Sequence, residues 1–329
     1  MLNNIQFLRA FAALNVVLGH SIVASLDYNI AVPFFDVLQY WGACGVDIFF
    51  VISGFVMIYT QWQRPRDAWN FFRNRLERII PLYWILTGIL LAISVLGLVD
   101  DAFGGSRIAA SFLFLSAPLL RELPVLYLGW TLEYEMAFYA IFAFSIFIER
   151  KIWQLLFVAV MIAGMVSVMP YSGIAFEFLF GMLLGALYVS NISLRYPLVV
   201  GLVGVALLAS SIGGDINHEW RVLIWGFPAL LIVASALYLP QLKGGLATML
   251  GDASYSIYLV QAFTIPVAYR VFSAVGTPLP GGIMLLVAIA STAAAGVVCH
   301  FVIERPVARW LKSRKPDCYK KGAIADNRV

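Results

Sequence analysis

Apolar residues dominate the chain in long runs that short polar segments interrupt. A helix that crosses a membrane needs about 20 consecutive and mostly apolar residues. The runs predict ten such helices, and the shorter apolar segment 107–121 is interpreted as re-entrant or interfacial, although it could form an eleventh span. The ten predicted helices cover residues 5–26, 38–61, 78–99, 129–149, 152–169, 174–190, 197–213, 221–239, 254–276 and 281–303.

The composition supports a membrane location. Hydrophobic residues make up 62% of the 329 residues and charged residues 12%, whereas a soluble domain has about 45–50% apolar and about 25% charged residues. Too little polar surface remains to cover a water-facing globule. The predicted fold class is therefore an all-α integral membrane protein that crosses the cell (inner or plasma) membrane several times.

The distribution of Lys and Arg predicts how the chain is oriented. With ten spans both termini lie on one side, and cationic residues accumulate in cytoplasmic segments. The terminal side carries Arg64, Arg66, Arg73, Arg75, Arg78, Arg150, Lys151, Arg195, Lys243, Arg305, Arg309, Lys312, Arg314, Lys315, Lys320, Lys321 and Arg328. The other side carries only Arg107, Arg121, Arg221 and Arg270, and Arg9 lies inside the first helix. Both termini are therefore predicted to be cytoplasmic.

The chain is predicted to consist of one membrane domain and a tail. Residues 1–304 form the membrane domain, and residues 305–329 form a basic cytoplasmic tail, expected to be solvated near anionic lipid. The first apolar segment lacks a preceding basic region, so we expect it to remain as a permanent helix.

Several chemical classes find no support in the sequence. The three cysteines, Cys44, Cys299 and Cys318, lie far apart and predict neither a disulfide framework nor a metal site. The chain has no GxSxG elbow, P-loop or GxGxxG motif. The basic residues are few, and the aromatic residues lie within apolar runs, so nucleic-acid binding is not expected.

Charged residues at membrane depth are candidate functional residues, because burying a charge in a bilayer is costly. Arg9 and His20 lie eleven residues apart on the first helix, so they project from one face with an axial separation of about 16 Å. Glu135 lies near the start of the fourth predicted helix, about as deep from the outer membrane face as His20. Thr131 and Tyr139 flank it at i−4 and i+4. An Arg reaching the membrane surface and a hydrogen-bonded structural His would explain the first pair equally well.

Two further groups of polar residues come next along the chain. Arg73, Arg75 and Arg78 form a basic cluster at the cytoplasmic entry to the third predicted helix, where they would either determine topology or bind phosphate. Asp47 and Ser53 lie on the second helix. The Ser53-Gly54 pair is explained by close helix packing, whereas Asp47 requires a buried partner.

The remaining buried ionisable residues are interpreted as structural. Glu133 is expected to reach headgroups or water, because it points nearly opposite to Glu135. Glu177 is expected to be solvated near an outer helix end. His300 and Glu304 have i, i+4 spacing and are expected to form a structural pair.

The motifs in combination resemble the acyltransferase-3 family of membrane acyltransferases. IQFLRAFAALNVVLGH is similar to the family's first helix, GVDIFFVISGFVM to its second and FFRNRLERIIPLYW to its arginine-rich loop. WTLEYEMAFY resembles a motif that places Trp130, Thr131, Leu132, Glu135, Phe138 and Tyr139 at family positions, and FEFLFGMLLGALY and GDASYSIYLVQ resemble later segments. Gln261 departs from the family, which often has a histidine there. The IQFLRA start is similar to that of exopolysaccharide acetyltransferases.

The resemblance implies an O-acyltransferase that uses acyl-coenzyme A, expected to be acetyl-coenzyme A, as donor substrate and binds no resident cofactor or metal. His20 and Glu135 are its implied catalytic residues. Donor phosphates are assigned to Arg9, Arg73, Arg75 and Arg78, and Asp47, Ser53, Trp130 and Tyr139 are candidate pocket residues. The acceptor would be a surface or exported carbohydrate, either free or lipid-linked, and the partners would be membrane lipid and polysaccharide-assembly proteins.

The chemistry and the class of protein leave alternatives. His20 could act as a general base with Glu135 orienting it, or it could carry the acyl group covalently. A transporter or flippase for a lipid-linked saccharide would also bury ionisable residues, although the repeated broken helices expected of one are not evident. A non-catalytic subunit of an export complex is a third reading.

Overall fold

The computed structural model describes residues 2–98, 103–169, 172–214, 220–275 and 280–314, which form helices joined by loops and contain no strand. The helices of these residues are α1 (Asn3–Ala24), α2 (Phe35–Leu38), α3 (Cys44–Gln63), α4 (Ala68–Val95), α5 (Gly105–Leu113), α6 (Gly129–Ser145), α7 (Lys151–Val168), α8 (Phe176–Val189), α9 (Pro197–Ser210), α10 (Phe227–Tyr238), α11 (Leu246–Asp252), α12 (Ser254–Val275), α13 (Gly281–Cys299) and α14 (Arg305–Ser313). Three π-helical turns, Ser116–Leu120, Val222–Gly226 and His300–Glu304, and two 3₁₀ turns, Trp41–Ala43 and Ser172–Ala175, complete them.

The described helices confirm the all-α class. Five helical stretches are long and apolar enough to cross a membrane, namely Asn3–Ala24, Phe35–Gln63, Ala68–Val95, Ser254–Ala274 and Gly281–Ser313. Four shorter apolar helices occupy Lys151–Ser167, Gly173–Val189, Pro197–Ser210 and Val222–Tyr238. A helix occurs at each of the ten predicted positions, whereas the number of spans and the side of the termini remain predictions.

α4 begins ten residues before the predicted start at residue 78. Asp67 is its N-cap and accepts a hydrogen bond of 2.9 Å from the backbone N–H of Asn70, which satisfies one of the free donors of the first turn. The same contacts hold the pKa of the Asp67 carboxyl below its usual value. The arginine cluster therefore lies within a continuous helix, where residues three apart share a face.

The segment predicted to be re-entrant or interfacial forms α5 and the π-turn Ser116–Leu120, and neither is long enough to cross a membrane. Glu133 holds this turn in place. Its carboxylate accepts hydrogen bonds from the backbone N–H groups of Ser116 at 2.9 Å and Ala117 at 2.7 Å. The expectation that Glu133 reaches headgroups or water is wrong, because the side chain is buried and serves as an acceptor for backbone donors.

The core is built on close packing of α3 against α8. Gly54 of α3 faces the backbone of Phe178, and Gly181 of α8 faces the backbone of Val51, so a β-carbon at either glycine would collide with main-chain atoms. The phenylalanine rings beside this contact stack, with centroids 4.4 Å apart for Phe50 and Phe178 and 4.2 Å apart for Phe138 and Phe178. This packing brings α3, α6 and α8 together and fixes two walls of the cavity described below.

The described chain ends in the π-turn His300–Glu304 followed by α14. His300 Nδ1 lies 2.8 Å from Glu304 Oε2 across the π-turn, and Ser256 donates to the same carboxylate oxygen at 2.6 Å. The geometry confirms the predicted His300–Glu304 pair. The predicted basic tail includes α14, and its residues 315–329 lie outside the described residues.

Candidate active site

Five helices enclose a cavity with an empty volume of about 770 Å³, counting the space at its mouth. Its polar side chains come from every one of these helices, and its apolar wall comes mostly from α3. The lining residues are Arg9 of α1; Val46, Phe49, Phe50, Ile52, Ser53, Val56 and Met57 of α3; Arg75, Arg78 and Ile79 of α4; Thr131, Leu132, Glu135 and Tyr139 of α6; and Ser254, Tyr255 and Tyr258 of α12. Such a mixture of an apolar wall and convergent polar groups is typical of a ligand site.

Three arginines converge on the cavity from two helices. Arg9 and Arg75 are half-buried and Arg78 is exposed. Arg9 donates to Gln6 Oε1 at 3.3 Å, and the Arg75 guanidinium lies 5.5 Å from the centre of the Phe71 ring and 5.7 Å from that of Tyr139. Within the described part of the chain none of the three forms a salt bridge, so their charge is available to an anion.

Glu135 is the carboxylate of the cavity. Its Oε1 accepts a hydrogen bond of 2.9 Å from Ser53 and another from Tyr139. It also interacts electrostatically with Arg9 and Arg75, although neither guanidinium reaches it as an ion pair. One carboxylate among three guanidinium groups leaves the cavity with a net positive charge of about two.

His20 lies on α1 toward the opposite end of the bundle from Arg9. Its Nδ1 is 3.0 Å from Gln261 Oε1, and the Tyr127 ring contacts it edge-on with centroids 5.5 Å apart. The hydrogen-bond partner found for His20 is therefore Gln261, whereas Glu135 binds Ser53 and Tyr139. The expected proximity of Glu135 and His20 rested on depth alone, and depth does not specify which residue faces the imidazole.

Four of the predicted residues lie outside the cavity lining, namely His20, Asp47, Arg73 and Trp130. Arg73 forms an ion pair with Glu77 one helical turn away, at 2.8 Å, so its guanidinium already has a carboxylate partner. Trp130 packs perpendicular to Tyr134, with ring centroids 6.0 Å apart, at the edge of the core. The arginine cluster therefore divides into Arg75 and Arg78, which face the cavity, and Arg73, which does not.

Asp47 is also absent from the cavity, and its buried partner is Arg221. The Arg221 guanidinium donates to Asp47 through Nη2 at 2.7 Å and through Nε at 3.1 Å, and it also reaches the carbonyl of Ala43 at 3.1 Å. Glu177 lies beside this pair and interacts with both residues. Glu177 is fully buried, so the expectation that it is solvated is wrong. The cluster links α3 to the start of the π-turn Val222–Gly226 and to α8.

Sequence reasoning missed the residues of α12. Tyr255 and Tyr258 line the cavity, and Tyr258 is hydrogen-bonded to the start of α6 through the carbonyl of Leu128, at 3.0 Å. Gln261 lies one turn further along the same helix. The signals in the sequence that pointed to this helix were the resemblance of GDASYSIYLVQ to a family segment and the replacement of the family histidine by Gln261.

Comparison with known proteins gives the same family as the sequence motifs. A family model described as an acyltransferase domain matches residues 2–304. The exopolysaccharide production protein ExoZ of Rhizobium meliloti is 35% identical over 311 residues, which cover 87% of this chain and 95% of that protein. The acyltransferase MdmB of Streptomyces mycarofaciens is 24% identical over 325 residues, which cover 84% of this chain and 83% of that protein. No solved structure matches the chain significantly.

The match extends over almost all of the described helices, including every element that lines the cavity. An O-acyltransferase activity also fits a cavity that combines cations, hydroxyl groups and a carboxylate. The chain belongs to the acyltransferase-3 family of membrane acyltransferases.

Proposed function

We propose that this enzyme transfers an acyl group, acetyl in the simplest case, from acyl-coenzyme A to a hydroxyl of an exported polysaccharide. The similarity to an exopolysaccharide production protein along nearly its whole length supports a carbohydrate acceptor. The location is the cell membrane, with the arginine-rich end of the cavity toward the cytoplasm, where coenzyme A is made.

The observation that carries this proposal is the convergence of Arg9, Arg75 and Arg78 on one cavity, with no salt-bridge partner for any of them among the described residues. The adenosine end of coenzyme A carries a diphosphate and a 3′-phosphate. Guanidinium groups bind phosphate through pairs of parallel hydrogen bonds. The apolar wall formed by α3 would accept the pantetheine arm, and the axial distance of about 16 Å from Arg9 to His20 suits that arm in extended form.

In this proposal His20 is the general base for the acceptor hydroxyl. The imidazole accepts the hydroxyl proton while the hydroxyl oxygen attacks the thioester carbonyl, and the coenzyme A thiolate leaves and is protonated. Transfer through a covalent acyl-histidine is the other route open to the same residue. In both routes the thiol of coenzyme A is released once for each acyl group transferred.

We assign Glu135 a different role from the one that the resemblance implied. Its carboxylate accepts hydrogen bonds from the hydroxyl groups of Ser53 and Tyr139 and lies among the arginines, so we infer that it orders the donor cavity. It fixes the directions of two hydroxyl groups that face the bound donor and balances part of the positive charge. This role places Glu135 at the donor and leaves the orientation of His20 to another residue.

The enzymatic reaction is tested by thiol release. Purified protein in lipid vesicles, given acetyl-coenzyme A and deacylated exopolysaccharide of the producing strain, is expected to release free thiol and to form an alkali-labile acetyl ester in equal amounts. Thiol release without ester formation would indicate hydrolysis. Ester formation without consumption of the thioester would show that acetyl-coenzyme A is not the donor.

Neutralising the cavity arginines is expected to weaken donor binding. A hydrogen bond to a charged group contributes about 1.5–3 kcal/mol, so Arg75→Gln and Arg78→Gln should each lower the affinity for coenzyme A by roughly 10–100-fold. Titration of coenzyme A into purified protein, followed by calorimetry, measures this change.

The Arg73→Gln variant separates the geometric assignment from the expectation based on the sequence alone. Arg73 lies in the same helix but pairs with Glu77, so its loss should leave the coenzyme A affinity within about twofold of wild type. If the affinity falls equally for Arg73 and Arg75, the cavity described here is not the donor site.

A further inference from the structure

Gln261 makes a directed contact with His20. Its side chain is fully buried on α12, and its Oε1 lies 3.0 Å from Nδ1 of the imidazole. A buried amide must satisfy both its carbonyl and its NH₂ group, because an unpaired polar group in the interior is costly. The direction in which the amide points is therefore determined by its second hydrogen bond.

The second hydrogen bond fixes the amide and, through it, the tautomer of His20. Gln261 Nε2 donates to the backbone carbonyl of Tyr258 at 2.7 Å. A carbonyl oxygen can only accept, so the NH₂ group must face Tyr258 and the amide oxygen must face His20. An amide oxygen also only accepts, so the proton between the two side chains resides on Nδ1 of His20. The neutral imidazole then carries its lone pair on Nε2.

The surroundings of Gln261 hold this arrangement rigid. The hydroxyl of Tyr258 binds the carbonyl of Leu128 at 3.0 Å and lies 2.9 Å from Thr131 Oγ1, which attaches α12 to the start of α6. Tyr127 packs its ring edge-on against the imidazole. Among the described residues, Tyr127 is the titratable group that contacts the imidazole of His20, and no carboxylate contacts this ring.

We propose that Gln261 is a positioning residue that holds His20 as the Nδ1–H tautomer and so presents Nε2 as the basic nitrogen to the acceptor hydroxyl. This inference rests on the proposed role of His20 as base. A neutral amide orients the ring without adding a negative charge, whereas a carboxylate in the same place would also stabilise the protonated imidazole. The replacement of the family histidine therefore retains an orienting partner and keeps His20 free of an adjacent charge.

Two substitutions of Gln261 give different expected results. In Gln261→Leu the ring loses its partner but keeps a side chain of similar size, so kcat should fall by roughly 10–100-fold while KM for acetyl-coenzyme A stays within about twofold. In Gln261→Glu the carboxylate favours the imidazolium, so the acidic limb of the pH–rate profile should move upward by about one pH unit. The rates are measured with radiolabelled acetyl-coenzyme A in membrane vesicles from the producing strain.

Two further variants separate positioning from folding. Gln261→His restores a hydrogen-bonding ring and should recover part of the activity that Gln261→Leu loses. Thr264→Val is the matched control, because Thr264 lies on α12 like Gln261 but does not contact His20. The substitution removes a 2.7 Å hydrogen bond between Thr264 and Thr292 of α13. Its kcat and its pH profile should equal those of wild type, normalised to protein abundance.

The outcomes distinguish this inference from the proposed function. If His20→Ala is inactive but Gln261→Leu has wild-type kcat and Gln261→Glu leaves the pH profile in place, Gln261 does not position the base and the proposed function still stands. If Gln261→Leu instead raises KM in proportion to its loss of rate, the residue acts in binding and the inference falls. If His20→Ala is fully active, both fall together.

Discussion

Replacement of His20 by alanine is expected to lower acyl transfer by roughly 10²–10⁴-fold, the usual contribution of a positioned general base. Gln261 is hydrogen-bonded to the imidazole, and α1 itself contains no carboxylate and no second histidine that could replace it. The measurement is the O-acyl content of the secreted polysaccharide in a deletion strain complemented with wild type or His20→Ala, at equal membrane abundance.

The matched control for this prediction is His300→Gln. His300 is buried and pairs with Glu304 at the far end of α13, whereas the partner of His20 is Gln261. Glutamine retains a hydrogen-bond donor for Glu304, so polysaccharide acylation should remain close to wild type. Full acylation by His20→Ala would show that His20 is structural, and equal losses in both variants would indicate a general folding defect.

Replacement of Arg221 by methionine should destabilise the protein by about 3–5 kcal/mol, because it leaves a buried carboxylate without its cation. The Arg221 side chain is buried and binds Asp47 through two nitrogens, with Glu177 adjacent. A loss of that size corresponds to a fall in Tm of roughly 5–15 °C. Thermal unfolding of the purified protein in detergent, followed by tryptophan fluorescence, measures it.

Two variants make the Arg221 prediction specific. Arg270→Met removes an exposed arginine of α12 for which the structure records no salt bridge among the described residues, and its Tm should match that of wild type. Asp47→Leu combined with Arg221→Met replaces the pair by apolar groups and should recover part of the lost stability. An unchanged Tm in Arg221→Met would show that the ion pair contributes nothing to the fold.

The candidate residues fall into two groups at different places in the helix bundle. Arg9, Arg75, Arg78 and Glu135 share one cavity, whereas His20 is oriented from α12. Substitutions of the first group are therefore expected to change donor affinity, and substitutions near His20 are expected to change turnover. Separate measurement of KM for the donor and of kcat in these variants tests this assignment directly.

The sequence by itself determined the class of fold and the family. Long apolar runs leave little choice other than helices, because a backbone in lipid must satisfy its own hydrogen bonds. The spacing of Arg9 and His20 on one helix face also followed from the sequence, since helical periodicity fixes which residues share a face. The i, i+4 pair of His300 and Glu304 was predictable for the same reason.

Contacts between helices were decided only by the tertiary structure. Asp47 and Arg221 are 174 residues apart, and His20 and Gln261 are 241 apart, so no local pattern links them. Depth along a helix can be counted from the sequence, but the rotation of each helix toward its neighbours is set by packing, such as the approach of Gly54 to Phe178. That rotation placed Glu135 with the arginines, turned Glu133 and Glu177 inward, and made Gln261 rather than a carboxylate the partner of His20.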